Sequence, residues 1–516
     1  MQQTFCTKLT KNSYFGTNDI LSSYLNEYSE LFQKIEHSLY VDLVYRKISI
    51  LKLKKDYQIK FGINARQFNS ARVSVEGKIK SKKALLEDEL NEKKYKLENL
   101  NLKLDNLILE KENTFKKLSS LKLNDKKFKK IREKYKAIKN SIHYTKRKIQ
   151  KYKHVISKLE KDFENDIVRM CFGGKELFKK QFNFNENNYK NHSEWYQEWH
   201  DSRSNQCFFL GSSDESFGNQ VCQLDKDNIL KIKTAPILEE RYGKYIIIPN
   251  VKFKYGQDKI DYCKESYINT TPTYNEKRYF NGALSHRFCR TKFGWYLHTS
   301  ADVEESKIKT DNRLGGIGLD FNVNFVSLAF VDRFGNPIDE IKLNYHMYGK
   351  TTNQITAKLG ELCKEVCDFG LYYGVPIYVE DLCFKNAKKN LDKNKKYNRM
   401  LSGFPYAKFR DLLSQRSKKS GVEIVFVNPA YTSIIGQFKF MKKYGFSSHG
   451  SAACMIARKG MKFKTEKLDK KYKNLVFTNK PNLNKNLNNY KMWMNLSSII
   501  KKNMTFNERI SMLYNN

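Results

Sequence analysis

Residues 315–322 read GGIGLDFN and residues 325–331 read FVSLAFV, and they predict two neighbouring buried β-strands. A turn at 332–337 (DRFGNP) separates them from a third strand at 338–342. The pattern then predicts a helix at 352–372, a strand at 375–382 (VPIYVEDL), a helix at about 398–420, a strand at 422–428 (VEIVFVN) and a helix at 448–459. The order βββαβαβα is that of a ribonuclease-H-like fold, with three antiparallel strands, further parallel strands and helices packed on the sheet.

Two carboxylates in this region follow apolar strand runs. Asp320 lies at the end of the first strand and Glu380 at the end of the fourth. Alone, either residue is explained by a cap or a salt bridge. In this topology both strands are central and their ends converge, and two convergent carboxylates with water and substrate phosphate are what Mg²⁺ prefers. The pair therefore predicts a metal site.

The last helix of the region carries a third candidate. His449 stands at its entrance, and the small residues Ala452 and Ala453 allow the helix to approach the sheet closely. A neutral imidazole can ligate a divalent metal or orient an attacking water. A lone histidine is more often structural, and only the position opposite the two carboxylates makes this one a functional candidate.

Upstream, residues 166–305 predict a β-rich module from strand-like runs at 207–210, 229–232, 245–249 and 294–298, entered through a helix with Trp195 and Trp199. Arg287 and Arg290 lie among aromatic residues and can face a nucleic acid. One strand with its apolar side chains inward explains the same spacing. Residues 1–75 mix helix with short strand-like runs, among them 39–51.

Residues 76–165 carry leucine, isoleucine and aromatic side chains at heptad spacing on both sides of a break at 119–125. The spacing predicts a long antiparallel helical hairpin. Its second arm is rich in lysine, including Lys126, Lys127, Lys129 and Lys130. A solvated helix face explains such a run, whereas binding to phosphates would release counterions and give sequence-independent affinity.

The amino-acid composition favours phosphate binding by the lysine-rich arm. The 516 residues include 95 Lys and Arg against 55 Asp and Glu, a net charge of +40, which calls for a polyanionic partner. A folded, soluble chain is expected from the 14% aromatic content, and no apolar run is long enough to cross a membrane. None of the ten cysteines forms a Cys-x-x-Cys pair, so neither a zinc ribbon nor a thioredoxin-type site is visible, and a reducing cytoplasm is expected.

Four stretches, GGIGLDFN, VPIYVEDL, FVNPAYTSIIGQ and SHGSAACMIARKG, resemble in order and spacing the RuvC-type nuclease domain of the insertion-sequence TnpB family, which is related to type V CRISPR effectors. Three upstream stretches, MCFGGKELFKKQF, FFLGSSDESFGNQVCQL and ALSHRFCRTKFGWYLH, also look like this family. The resemblance covers roughly residues 165–465. It implies an α+β multidomain chain: 1–75 and 166–305 as wedge-like modules, 76–165 as a helical recognition domain, 306–465 as the RuvC-like nuclease domain and 466–516 as a basic tail.

Matched to the family's motifs, Asp320 corresponds to the first catalytic aspartate, Glu380 to the catalytic glutamate and His449 to the place of the third acid. The histidine is a departure that puts cleavage in doubt. A second departure is the missing four-cysteine ribbon, so no structural zinc is expected, and the basic segment 438–444 (FKFMKKY) replaces it. Lys439, Lys442 and Lys443 in or beside that segment, and Arg458 on the last helix, complete the candidate nucleic-acid contacts.

The resemblance implies an RNA-guided DNA endonuclease that cuts double-stranded target DNA beside a short flanking motif by two-metal hydrolysis, with Mg²⁺ or Mn²⁺. A guide and scaffold RNA would be the partner, and a bacterial cytoplasm, at the nucleoid, the location. Three alternatives stay open: a nuclease-dead RNA-guided repressor, a type V CRISPR effector using array-derived RNA, and a transposase of ribonuclease-H type. The sequence gives neither the oligomeric state nor the guide.

Overall fold

A computed structural model of the chain describes residues 1–9, 18–121, 126–212, 218–268, 283–382, 405–481, 483, 486–503, 505, 508, 509 and 511. The chain divides into two units, Met1–Glu304 and Glu305–Asn516. Within the described ranges, no helix combines the length and the apolar character that a bilayer crossing needs. Helices and strands are numbered below in chain order.

The first unit combines two antiparallel sheets with eight described helices. Helices α1 to α8 are Asn18–Val44, Ile50–Phe61, Ala65–Ser119, Lys126–Glu164, Lys175–Lys180, His192–Arg203, Glu239–Tyr242 and Gln257–Ile268. Strands β1 to β7 are Gln2–Lys8, Gln206–Phe209, Cys222–Leu224, Leu230–Lys233, Tyr245–Ile248, Ser285–Thr291 and Gly294–Asp302. The sheets have the orders β1-β7-β6-β2 and β3-β4-β5. The strand-like runs predicted in 166–305 are therefore confirmed as β2, β4, β5 and β7.

Helices α3 and α4 form the predicted antiparallel hairpin. Lys94 pairs with Glu160 (2.7 Å) and Lys134 with Glu110 (2.8 Å), so sequence positions move in opposite directions along the two arms. The first arm begins earlier than the heptad pattern indicates. Asn64 and Gln67 form a capping box, which satisfies free backbone N–H groups and fixes the helix start at Ala65.

The strand-like interpretation of 39–51 is wrong. This stretch lies in the last turns of α1, a short connection and the first residues of α2. Side chains of α1 that are spaced three and four apart, among them Tyr24, Tyr28 and Phe32, are almost fully buried in the core of the first unit. The apolar residues of this stretch therefore recur with the helical period of 3.6 residues. Within residues 1–75, β1 is the one strand that the structure describes.

The second unit is built on a five-stranded sheet. Strands β8 to β12 are Gly315–Phe321, Phe325–Asp332, Pro337–Asn344, Ile377–Glu380 and Ile424–Val427. Helices α9 to α15 are Thr352–Tyr373, Tyr406–Ser420, Thr432–Gly436, Lys442–Tyr444, Ser448–Gly460, Lys470–Asn479 and Asn489–Asn503. Part of the helix predicted at 398–420 falls on residues outside the described ranges.

The strand order is β10-β9-β8-β11-β12. β9 is antiparallel to β8 and β10, while β11 is parallel to β8 and β12. Numbered along the chain within this unit, the order is 3-2-1-4-5, the arrangement of a ribonuclease-H-like sheet. The predicted fold class of this unit is confirmed at the level of topology.

Each face of this sheet buries a separate core. On one face, Leu319, Leu328 and Val379 pack with apolar residues of α9 and α10. On the other face, α13 lies against the sheet, and Ala329 and Tyr378 share a core with it and with α14 and α15. The second face is the one that carries the candidate catalytic residues.

Gly318 sets the distance between α13 and the sheet. A Cβ at this position would lie 1.7 Å from the carbonyl oxygen of Ala453, because the helix backbone rests directly on β8. Both atoms in that clash belong to regular backbone, so neither can turn away. The small residues predicted to allow a close approach are therefore matched by a glycine on the strand.

Replacing Gly318 by alanine is expected to lower the free energy of unfolding by about 2 kcal/mol or more, because overpacking must push α13 away from the sheet. Urea unfolding of the full chain measures the loss. Gly360→Ala is the matched control, since Gly360 lies within α9 and a Cβ there meets nothing within 4 Å. That control should be neutral or slightly stabilising. Equal unfolding midpoints for the two variants would contradict the packing argument.

Candidate functional site

Asp320 and Glu380 lie side by side on neighbouring parallel strands. The register pairs Gly318 with Tyr378 and Leu319 with Val379, so the next residues along β8 and β11 are Asp320 and Glu380. Residues in register on parallel strands project from the same face of the sheet. That face is the one covered by α13, as the contact between Gly318 and Ala453 shows.

Helix α13 brings His449 to the same place. Its Nδ1 atom lies 2.8 Å from Oδ2 of Asp320, and its ring meets the Phe325 ring edge to face at 4.9 Å. The His449 side chain is 46% exposed, whereas that of Asp320 is 13% exposed. The imidazole therefore stands between a buried carboxylate and the solvent.

The start of α13 is held in place from two directions. The Ser447 side chain accepts a hydrogen bond from the backbone N–H of Gly450 (3.0 Å), which caps the helix. Glu340 of β10 accepts a hydrogen bond from the backbone N–H of Ser447 (2.8 Å) and another from its hydroxyl. A carboxylate at a helix N-terminus is favoured by the helix dipole. These contacts fix His449 two residues further on.

The hydrogen bond between His449 and Asp320 decides the roles of the two imidazole nitrogens. An ionised carboxylate can only accept, so Nδ1 carries the hydrogen and donates to Oδ2. In the neutral imidazole, Nε2 then keeps a lone pair. Asn322 also donates to Oδ2 (2.9 Å), while Oδ1 accepts no hydrogen bond from any described residue. One imidazole nitrogen and one carboxylate oxygen are thus free to act on something else.

The pKa of the Glu380 carboxyl group is raised toward neutral pH. Burial first, and then the charge of Asp320, raise its pKa to about 7 against the opposing effects of Thr432 and Lys459. The Thr432 hydroxyl donates a hydrogen bond to Oε1 of Glu380. Lys459 of α13 donates to the carbonyl of Ala430 (3.1 Å), and burial lowers the pKa of its amine.

The raised pKa predicts a pH-dependent cost in stability. A carboxyl that binds its proton more tightly when folded loses stability as pH rises from its unfolded value of 4.5 to about 7. In chelator at pH 8, Glu380→Gln is therefore expected to be more stable than the wild type by about 3 kcal/mol, and the difference should vanish near pH 4. Urea unfolding at several pH values measures it. Glu365→Gln, at an exposed position on α9, should show no such trend.

The donor set of this site fits a divalent cation. The charge of Asp320 helps to raise the pKa of Glu380, a cost of ionisation that a bound cation would remove, and Oδ1 of Asp320 accepts no hydrogen bond from the described residues. Among the described residues, however, no group of three or more His, Cys, Asp or Glu side chains stands close enough together to hold a metal by itself. Water and a substrate phosphate would have to complete the coordination of Mg²⁺.

Several predicted nucleic-acid contacts are engaged within their own unit. Arg458 is 15% exposed and binds Glu466 (2.6 Å) and the carbonyl of Gly335. Lys439 binds Asp469 (2.6 Å). Arg458 is thus shielded from solvent, and the charge of each side chain is matched by a carboxylate.

In the first unit the two predicted arginines also have protein partners. Arg290 binds Asp201 (2.9 Å) and Asn26 (2.8 Å). Arg287 donates to Gln206 (3.1 Å) and lies over the ring of Phe208. Arg290 therefore joins the sheet to α1 and α6, and Arg287 joins β6 to β2 within the sheet.

The remaining predicted contacts lie at the surface. Lys127, Lys129 and Lys130 are exposed on α4, and Lys442 and Lys443 are exposed on α12. The side chain of Lys126 lies outside the described part of the chain. The exposed lysines of α4 are therefore the best placed of the predicted set.

The sequence did not single out two residues that contact Glu380. Thr432 lies in the stretch FVNPAYTSIIGQ, where its type alone indicates no role, and the Tyr406 hydroxyl donates to the Glu380 carbonyl. Lys459 was also missed as a neighbouring charge. The one available signal was Thr432, a polar residue shortly after the last strand, because the carboxyl ends of parallel strands share an edge.

Comparisons with known proteins give a consistent but weak likeness. No family profile and no curated protein matches the sequence. A Thermus thermophilus RuvC in complex with a Holliday junction substrate is similar over 28% of this chain and 90% of its own, with 10% identity and a TM-score of 0.21. A Cas12i1 R-loop complex after target DNA cleavage is similar over 81% of this chain and 46% of its own, with 11% identity and a TM-score of 0.15. The strand order, rather than either superposition, identifies the fold.

Proposed function

We propose that the chain is an RNA-guided DNA endonuclease of transposon origin, resembling the TnpB family, whose RuvC-type site hydrolyses phosphodiester bonds. One observation carries the hydrolytic part: Asp320 binds Nδ1 of His449 at 2.8 Å beside a Glu380 whose pKa is raised to about 7. A carboxylate, an imidazole and a nearly neutral carboxyl group on one sheet face are unusual for a purely structural core.

The residues have distinct tasks in such a reaction. Asp320 holds the imidazole of His449 in one tautomer, so that Nε2 can accept a proton from the attacking water. Asp320 and Glu380 would hold Mg²⁺ or Mn²⁺, which supplies Lewis-acid stabilisation of charge on the phosphate oxygens. Lys459 adds a positive charge beside Glu380. Hydrolysis of a phosphodiester needs these functions together: base, charge stabilisation and orientation.

The two carboxylates favour cleavage over the alternative of a binding-only repressor. Asp320 and Glu380 are both present at neighbouring positions of β8 and β11, which argues against a decayed site. The alternative of a type V effector shares the same chemistry. An adjacent repeat array would favour that alternative, and adjacent transposon ends would favour the TnpB-like one.

The RNA-guided part rests on the sequence resemblance and on charge. Helix α4 contains 15 basic and four acidic residues, a net charge of +11, and most of its lysines are exposed. A rod of this charge can follow a nucleic-acid backbone without reading its sequence. Guide pairing would then supply specificity, while the protein reads only a short motif beside the target.

Changing Lys126, Lys127, Lys129 and Lys130 together to Gln is expected to weaken nucleic-acid binding uniformly across sequences. The slope of log affinity against log salt should fall by up to about 4, roughly one for each lost phosphate contact. The control changes Lys52, Lys54, Lys55 and Lys60 of α2, which alters net charge equally on another exposed surface. Identical slopes for both variants would return the α4 lysines to the solvated-face interpretation.

Sequencing of bound RNA tests the proposed function directly. The full chain, expressed with its native locus, should copurify with one structured RNA ending in a guide segment. A plasmid carrying the matching target beside a library of flanking sequences should then be cut in Mg²⁺ next to one flanking motif. Random cellular RNA in the preparation, together with intact plasmid in every metal, would overturn the proposal.

A further inference from the structure

The first unit contains a cavity that is lined by its own residues alone. It has a volume of about 870 Å³, within the range of small-molecule pockets. Its walls come from α1, α3, α6 and residues 169–178, a stretch that includes most of the motif MCFGGKELFKKQF noted in the sequence. Basic and aromatic side chains dominate these walls: Lys78, Lys82, Lys175, Arg203, Phe172, Phe178 and Trp199.

The carboxylate in the cavity wall is already matched. Glu36 is buried and accepts hydrogen bonds from Lys78 at 2.7 Å through both oxygens. Arg169 at the rim is likewise held by Asp162. These two carboxylates are therefore matched, and Lys82 pairs with Glu89 of α3 (3.5 Å).

Arg203 is a cation without a carboxylate partner among the described residues. Its guanidinium lies 4.4 Å from the ring centroid of Trp199 and 2.6 Å from the side-chain amide of Gln33. Burial lowers its pKa, and burial together with Arg203 lowers the pKa of His37 in the same wall. A partly desolvated charge without a counter-ion is costly unless a ligand provides one.

In the cavity wall, the turn at Gly173 lies directly against the side chains of Arg203 and Trp199. Gly173 has φ +84°, and a Cβ there would lie 2.7 Å from Cγ of Arg203 and 3.0 Å from Nε1 of Trp199. Ser202 donates a hydrogen bond to the Gly173 carbonyl (3.1 Å). Nε1 of Trp199 is buried and has no hydrogen-bond partner in the described structure.

Lys175 follows this turn directly. Its side chain is exposed at the cavity mouth, and no described residue pairs with it. Phe178, one helical turn further on, is 38% exposed and lines the same cavity. Lys175 and the exposed Phe178 ring thus line the same cavity as Arg203, which has no carboxylate partner among the described residues.

We infer that this cavity binds one nucleotide unit of a single-stranded nucleic acid, with its phosphate against Arg203 and Lys175 and its base against the aromatic wall. Arginine and lysine are the usual phosphate ligands, and unstacked bases pack on aromatic rings and guanidinium planes. The inference deepens the proposed function, because it assigns a specific strand-binding site outside the nuclease sheet. A free nucleotide offers the same chemistry and is separated from a strand by the test.

The test uses the full chain freed of nucleic acid, in chelator so that nothing is cut. A fluorescein-labelled ten-nucleotide oligouridylate is titrated, and fluorescence anisotropy gives the affinity. Arg203→Gln is expected to weaken binding at least about tenfold, as for a lost charge-assisted pair. Lys175→Gln, which removes no ion pair or hydrogen bond among the described residues, should weaken it about threefold and lower the salt slope by about one.

The matched control is Lys226→Gln, an exposed lysine in the turn between β3 and β4 of the same unit, which should leave affinity within about twofold of wild type. In a second measurement, an oligonucleotide carrying 5-iodouridine should crosslink to the peptides 170–175 or 176–179. Uridine monophosphate and inorganic phosphate should compete only at far higher concentration than the oligonucleotide.

Three results would overturn the inference. Unchanged affinity in Lys175→Gln with crosslinks confined to other segments would exclude this cavity while leaving the nuclease proposal intact. Competition by uridine monophosphate at the same concentration as the oligonucleotide would exclude a strand and identify a free nucleotide. No binding of any oligonucleotide by the wild type would exclude the site and the proposed function together.

Discussion

Asp320→Ala is expected to reduce metal-dependent DNA cleavage about a thousandfold or more, while RNA binding stays near the wild-type level. The reason is that Asp320 serves two purposes at once: Oδ2 holds the His449 imidazole at 2.8 Å, and Oδ1, which accepts no hydrogen bond from the described residues, can bind a cation. Removal of a single group of this kind typically costs a hundredfold to a thousandfold, and here two functions are lost together. Cleavage of a supercoiled target plasmid by the RNA-loaded protein measures the effect.

Glu380→Ala should show a comparable loss, because it removes the second carboxylate from the same sheet edge. Asp411→Ala is the control, since Asp411 is exposed on α10 of the same unit. RNA binding should survive in all three variants, because the 95 basic residues are unchanged. Full Mg²⁺-dependent cutting by both the Asp320 and Glu380 variants would sink the assignment of this site.

His449→Ala is expected to lose cleavage about a hundredfold or more, as for a missing general base. His449→Asn is the sharper variant, because its amide can still donate to Asp320 but has nothing in place of Nε2. It should therefore be as inactive as alanine if Nε2 takes the proton, and largely active if His449 serves only to hold Asp320. Cleavage rates for the three proteins at one Mg²⁺ concentration separate these roles.

The same assignment has a pH signature. Glu380 must lose its proton to hold the cation, and its pKa is raised to about 7 while the cation is absent. Cleavage at low Mg²⁺ should therefore fall as the pH drops through about 7, and high Mg²⁺ should reduce that loss because it favours the ionised carboxylate. If Nε2 of His449 instead binds the metal, activity should be higher with Mn²⁺, which accepts nitrogen ligands more readily than Mg²⁺.

His449→Asp tests the repressor alternative. A third carboxylate would add negative charge beside Asp320 and Glu380, so the variant is expected to retain or gain cleavage once enough Mg²⁺ is present to neutralise it. If the wild type is inert with every metal while His449→Asp cuts, the chain is a repressor derived from a nuclease. Cutting by the wild type excludes that alternative.

The sheet and its carboxylates could be predicted from the sequence because they follow from local patterns. Apolar runs give strands, the order of strands and helices gives the topology, and Asp320 and Glu380 stand where two strands end. The α3 start was misplaced because the heptad pattern begins later than the capping box of Asn64 and Gln67.

The choice of partners could not be predicted. Thr432 binds a carboxylate 52 residues away, and Arg458 is drawn into the fold by Glu466 and Gly335 rather than left for a ligand. Nor does a sequence say which nitrogen of His449 faces Asp320. Such choices depend on distances of a few ångströms that only the packed helix and sheet determine.

Because α13 touches β8 at Gly318, the contact between His449 and Asp320 depends on the lengths of strand and helix between these two points. From Gly318 to Asp320 the strand advances two residues, about 7 Å, and from Ala453 back to His449 the helix covers four residues, about 6 Å. Two residues of strand and four residues of helix thus cover nearly the same distance, so both contacts can form at once. One inserted or deleted residue between Ala453 and His449 would turn the imidazole by about 100° around the helix axis, away from Asp320. Natural variation in chain length should therefore be absent from these two short intervals, however freely the loops around them change.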